Sequence, residues 1–152
     1  MGALCPSTPS EVRTVDSPVR ITRAIEFSSS LRYACVDLDD EANRERFGVA
    51  SSRHGHNYRL EVTLCGEPDP VTGMVANLAE LKVLLEREIM DRFDHKDLND
   101  DTPYFEKAPP TPENLSQVIY AILDQAIPDG MLERIRLYQD ADLFVDVQGE
   151  PV

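Results

Sequence analysis

From His56 to Cys65 the chain alternates without a lapse. His56, Tyr58, Leu60, Val62 and Leu64 point one way; Asn57, Arg59, Glu61 and Thr63 point the other. A period of two marks a half-buried strand. Slipping its register by one residue would turn the whole apolar set to solvent. The stretch therefore demands a sheet with one covered face and something packed against it. His54 and His56 flank Gly55 at the strand's mouth, so on extended backbone both imidazoles leave the same face. Two same-side histidines are the first two ligands of a zinc site. The competing reading is a polar loop whose histidines simply meet solvent.

The rest of the chain supplies the partners. Val19, Ile21, Ile25 and Phe27 alternate with Arg20, Thr22 and Glu26 in a first strand that runs into Ser28-Ser29-Ser30-Leu31. Residues 32–53 read mostly as loop, with a short helical turn within the charged run Asp37 to Arg46. Gly66 to Pro70 turns out of the second strand. Asn77 then opens a helix whose stripe is Leu78, Leu81, Leu85, Ile89 and Phe93, with Glu80 placed for a capping box. Thr111-Pro112 starts a second helix, striped by Leu115, Val118, Ile119, Ile122, Leu123 and Ala126. Strands at 132–139 and 142–148 follow, joined through a tight turn at Asp140-Ala141. The order β-β-α-α-β-β predicts an α+β fold, an antiparallel sheet with two helices on one face. Four strands leave two open edges, a liability that edge-to-edge association into a closed barrel removes.

A length of 152 residues predicts one domain, residues 19–148, between a Pro/Ser/Thr-rich disordered tail at 1–18 and a C-terminal tail at 149–152. The net charge of −13 argues against nucleic acid or an anionic membrane surface as partner and favours a cationic or neutral ligand. No apolar run approaches a membrane span, and no signal-peptide pattern is expected. Cys5, Cys35 and Cys65 are odd in number and widely spaced, which predicts free thiols in a reducing, cytoplasmic setting.

Four segments carry a resemblance: H-G-H-N-Y at 54–58, G-M-V-A-N-L at 73–78, D-H-K-D-L at 94–98 and T-P-E-N at 111–114. Together and in this order they resemble the 6-pyruvoyltetrahydropterin synthase / 6-carboxytetrahydropterin synthase family, over roughly residues 19–148. The resemblance implies the tunnelling fold, in which β-β-α-α-β-β subunits form a trimeric barrel and two trimers stack as a hexamer. It also implies a zinc site of three histidines, a catalytic cysteine shortly before H-x-H, a glutamate that anchors the pterin, and an Asp-His proton relay.

This sequence departs from that pattern three times. His54 and His56 match two zinc ligands, but Leu31 stands at the third position and has no lone pair to donate. Ala50 stands where the cysteine belongs, and alanine cannot act as a thiolate base. Gln139 stands at the pterin anchor; it pairs one acceptor with one donor and has no charge. Asp140 has the charge, but strict alternation sends it to the other face. Asp94-His95 survives as the relay, where a carboxylate fixes the imidazole tautomer; the other reading is a helix end where a cation is electrostatically welcome. Glu113 and Thr111 survive too, as ligand contacts or as groups that favour their helix's N-terminus. The expected cofactor is none, with at most weak or vestigial Zn²⁺ at His54 and His56. The expected protein is a homotrimer or homohexamer, a repurposed lyase or cyclase using His95 and Asp94 for acid–base chemistry, with Gln139, Glu113 and Thr111 on the substrate. Two alternatives stand beside it: a non-catalytic binding or structural subunit, and the parent synthase.

Overall fold

The structure is a computed structural model and describes residue 2 and residues 15–149. Most of the N-terminal tail, Cys5, and the C-terminal tail beyond Gly149 lie outside the described residues. Strand β1 (Val19–Leu31) leads to helix α1 (Asp40–Phe47), a short 3-10 turn (Gly48–Ser51) and strand β2 (His54–Gly66). A long helix, α2, begins at Leu78–Leu85, passes through a π-helical turn (Glu86–Met90) and ends in one α turn (Asp91–Phe93). Strand β3 (Lys96–Asp97), helix α3 (Pro112–Ala126), and strands β4 (Leu132–Asp140) and β5 (Leu143–Gln148) complete the chain. The sheet order is β3-β1-β2-β4-β5, antiparallel except for the short β3 beside β1.

The alternation in β2 does what it demands. Tyr58, Leu60, Val62 and Leu64 are buried beside Phe27 and Leu31 of β1 and Ile135 and Leu137 of β4. The stripes of α2 (Leu81, Leu85, Ile89, Phe93) and α3 (Leu115, Ile119, Leu123) close over them in one core. Both N-caps form: Asn77 Oδ1 accepts from the Ala79 and Glu80 N–H groups, and Thr111 Oγ1 accepts from the Asn114 N–H. The expected capping box is only half made, because the Glu80 carboxylate accepts from the Asn77 side-chain amide and not from its backbone N–H.

Among the described residues there are five strands in the sheet and three helices, against the four and two expected. β1 does not stop at Phe27, because each serine hydroxyl finds a partner. Ser28 donates to Asn57, Ser29 to the Phe93 carbonyl and Ser30 to Asp97. α1 replaces part of the expected loop without any apolar stripe. Asp39 caps it through the Ala42 N–H, Gly48 ends it at φ 60°, and its buried residue is Asn43. Asn43 accepts from the Cys35 N–H and donates to the Cys35 and Leu38 carbonyls. Two-residue β3 is too short for any periodicity to reveal.

Candidate functional site

The site forms at the mouth of β2. His54 and His56 share one face, their ring centroids 5.1 Å apart and their planes nearly perpendicular. His54 Nδ1 lies 2.7 Å from the Ser52 carbonyl, so it carries the proton and leaves Nε2 as the free acceptor. His56 Nδ1 lies 3.9 Å from Asp140 Oδ1. Burial, and then the neighbouring His54, hold the His56 imidazole below its usual pKa, with Asp140 pulling weakly the other way.

Two clefts adjoin here. One, about 590 Å³, is lined by His56, Asn57, Arg59, Gln139 and Asp140 among others. The other, about 480 Å³, runs past His56 to Ser28, His95, Lys96 and Asp97. They share Gly55, His56 and Asn57. A Cβ on Gly55 would stand 3.2 Å from the Ser29 carbonyl oxygen, so this close strand approach leaves little room for a side chain.

His95 reaches the second cleft through an unusual backbone. It is the one non-glycine among the described residues with positive φ, at 56°. That left-handed turn, which histidine tolerates better than most residues, folds the ring back on its own neighbour. Asp94 Oδ2 lies 2.9 Å from His95 Nδ1, while Asp94 Oδ1 accepts from the Ser28 N–H. The His95 N–H in turn donates to the Ser28 carbonyl. The Ser28 peptide thus clamps the pair at both ends. The Ser28 N–H, and then the His95 side chain, hold the Asp94 carboxyl below the usual carboxylate range. With Nδ1 engaged, Nε2 is left to exchange protons in a side chain 84% exposed.

Sequence reasoning missed the belt around this mouth. Asp97 accepts from Ser30 Oγ, from the Arg53 guanidinium and from the Asn99 and Asp100 N–H groups. Arg53 also reaches Asp100. The belt ties the start of β2 to the loop after His95. The signal available in sequence was Asp97 followed by Asn99 and Asp100, a pattern suited to an Asx turn. Tyr33 was missed as well. It stands edge-on to His54 at 6.0 Å between ring centroids, its phenol pushed up by burial and then by Glu113. This places Glu113, exposed in the first turn of α3, within electrostatic reach of the site. Thr111 has its hydroxyl committed to the helix cap.

Gln139 lines the first cleft with its Oε1 buried and unpartnered. Asp140 is not sent away from it. The pairing of β4 with β5 is irregular between Tyr138 and Asp140, and Asp140 lines the same cleft.

The family pattern implies zinc, and these residues do not fit it. Leu31 pairs directly across from His54, is wholly buried and belongs to the apolar core. Across from His56 stands Ser29, whose hydroxyl is committed to the Phe93 carbonyl. Among the described residues no three His, Cys, Asp or Glu side chains gather as a donor set. Two imidazoles alone fall short of the three protein ligands usual for even an open zinc site.

Comparison with known proteins bears on the whole domain. The pattern of the family described as 6-pyruvoyl tetrahydropterin synthase matches residues 20–150. A Pongo abelii protein named 6-pyruvoyl tetrahydrobiopterin synthase is 43% identical over 133 residues, covering 86% of this chain and 92% of that protein. A Drosophila melanogaster protein of the same name is 44% identical, covering 85% of this chain and 79% of that one. The solved Caenorhabditis elegans 6-pyruvoyl tetrahydropterin synthase superposes with a TM-score of 0.81 at 31% identity, over 88% of this chain and 96% of its own. By sequence and by fold, the chain belongs to the 6-pyruvoyl tetrahydropterin synthase family.

Proposed function

We propose that the protein binds a pterin-type small molecule in the paired clefts over Gly55 and His56 and acts on it as a lyase or cyclase, with His95 Nε2 as the acid–base and Asp94 as its orienting carboxylate. The observation that carries this reading is the Asp94–His95 pair, held by the Ser28 peptide in a left-handed turn beside the cleft. Backbone of that kind persists where surrounding structure enforces it, and it clusters at functional sites. The pterin class is supported by the names of relatives above 40% identity. The chemistry works without tightly held zinc, because Leu31 leaves the donor set at two imidazoles. The open flank of β1 and the outer strand β5, with Val19, Leu143 and Phe144 exposed, favour a homotrimer or homohexamer. The free Cys35 and Cys65 thiols fit the cytoplasm.

A second reading is the parent synthase reaction itself, favoured by the relatives' names and their near-complete coverage. Against it stand Leu31 and Ala50, since losing the base alone costs roughly 10²–10⁴-fold. One assay separates the two. Incubation with dihydroneopterin triphosphate yields 6-pyruvoyl- or 6-carboxytetrahydropterin under the second reading and neither product under the first. Under the first reading, pterins perturb the resonances of Gly55, His56 and Asn57, and His95→Gln abolishes turnover of whichever pterin is consumed while leaving the fold intact. Turnover indifferent to His95→Gln would defeat the assignment.

A further inference from the structure

Three buried side-chain polar atoms among the described residues lack a partner: Arg23 Nε, Tyr58 Oη and Gln139 Oε1. Two of them are neighbours. Arg59 pairs with Tyr138 across β2 and β4, so Tyr58 and Gln139 are the next residues along and share the core face. Tyr58 is 1% exposed, and burial, followed by the charges of Tyr33 and Asp140, pushes its phenol pKa up, so its hydroxyl is a neutral donor. An unpartnered buried acceptor typically costs about 1–3 kcal/mol. Tyr58 Oη and Gln139 Oε1 do not hydrogen-bond to each other in the structure, but a hydroxyl and a carbonyl oxygen are the complementary pair for these adjacent strands, which favours the orientation with Gln139 Oε1 inward. The reverse would bury two N–H groups against one hydroxyl. The Gln139 NH₂ therefore faces the cleft, where it is a donor only. The neighbouring carboxylate in that cleft is Asp140, delivered by the irregular pairing at the end of β4.

We propose that Gln139 and Asp140 together form a donor–acceptor clamp for the cis-amide (lactam) edge of a planar heterocycle. The Gln139 amide donates to the ring carbonyl, and the Asp140 carboxylate accepts from the adjacent ring N–H. A single carboxylate would instead match two donors side by side, as on an amino-substituted amidine edge. The clamp makes the 3,4-lactam of a pteridine the recognised feature and leaves the 2-substituent outside the contact. This rests on the proposal that the cleft takes a pterin-type ligand, and it deepens it by naming the edge that is read.

Three probes separate the edges: pterin and lumazine both carry the 3,4-lactam, lumazine lacks the 2-amino group, and 2,4-diaminopteridine lacks the lactam. Titration of the full-length protein, followed by calorimetry and by the amide resonances of Gly55, His56 and Asn57, should place pterin and lumazine within severalfold of each other. Both should bind at least tenfold tighter than 2,4-diaminopteridine. Asp140→Asn and Gln139→Met should each weaken the two lactam probes about tenfold, and Gln139→Glu should shift preference toward 2,4-diaminopteridine. Thermal unfolding of each variant checks that the fold is kept, and the probe ranking on wild-type protein needs no variant at all. A wild-type protein that binds 2,4-diaminopteridine as tightly as pterin, or loses lumazine while keeping pterin, overturns the clamp and leaves the pterin-cleft proposal standing. Failure of all three probes to bind wild-type protein overturns both.

Discussion

Replacing Leu31 by histidine turns the strand pair at the site's mouth into a direct test of why metal does not fit there. Leu31 is wholly buried and lies across from His54. Fully burying a leucine side chain stabilises a fold by about 1.5–3 kcal/mol. The imidazole recovers part of that packing but brings two polar nitrogens into the core edge, so the metal-free variant should lose about 2 kcal/mol. For a domain of this size that lowers Tm by roughly 4–8 °C. Zinc should then act on the variant and not on the parent. A ligand held only by the native state at a hundred times its Kd adds about 2.7 kcal/mol, enough to return the variant near the parental Tm. The assay is thermal unfolding with and without zinc after chelator treatment, backed by metal content on desalted protein. The wild type should move by less than about 1 °C, because bound metal would have to supply more than a few tenths of a kcal/mol to move it further. Equal zinc stabilisation of both proteins would show that a third ligand exists in the wild type. A destabilised variant that zinc fails to rescue would show that the Leu31 position does not face the two imidazoles.

Other expectations follow from groups already placed. Asp94 is held below its ordinary carboxylate pKa, chiefly by the Ser28 N–H. Its stabilising contribution is therefore complete above the unfolded value near 3.8 and fades as pH falls through the lower folded value; Asp94→Asn should flatten the acid limb of stability against pH, and an unchanged limb would deny the clamp. Thr111→Ala should cost about 1 kcal/mol in denaturant unfolding through loss of the helix cap, with pterin affinity unchanged; a selective affinity loss would restore Thr111 to the ligand. Light scattering should find trimers or hexamers, and a monomer at micromolar concentration would refute the edge-pairing argument.

Much of the fold was legible because its signals are periodic. The two-residue alternation of β2 and the stripes and caps of α2 and α3 each name a buried face. α1 was illegible for the opposite reason: Asp40–Phe47 is held by an Asp39 cap, a glycine stop and the buried amide of Asn43, none of which repeats. The π-helical turn in α2 did leave a trace. Leu81, Leu85, Ile89 and Phe93 are spaced by strict fours, which overshoots an α-helical turn by about 40° at each step. A wider turn at Glu86–Met90 takes up that drift, and Ile89 and Phe93 stay fully buried. At the site, His54, His56 and the Asp94-His95 pair were readable from type and spacing. Asp140 was not, because alternation assumes an unbroken ladder and the irregularity beside Tyr138 breaks it. The pairings of Arg53 with Asp97 and of Tyr33 with His54 were not readable either, because each joins segments distant in sequence.

The π-helical turn also governs which changes in chain length this protein can absorb. Removing one residue from Glu86–Met90 would let the helix relax to regular α geometry, an apparent local gain. The two halves of α2 would then rotate against each other by about 100°. The later half is pinned, since the Phe93 carbonyl accepts from Ser29 and the His95 N–H donates to Ser28. The earlier half would have to turn instead, carrying Leu81 and Leu85 out of the core. Relatives that keep the Asp-His pair should therefore vary in length within the 99–110 connection and keep a constant residue count from Asn77 to His95. A deletion there would be rescued by reinserting any helix-forming residue within the same turn, whatever its side chain.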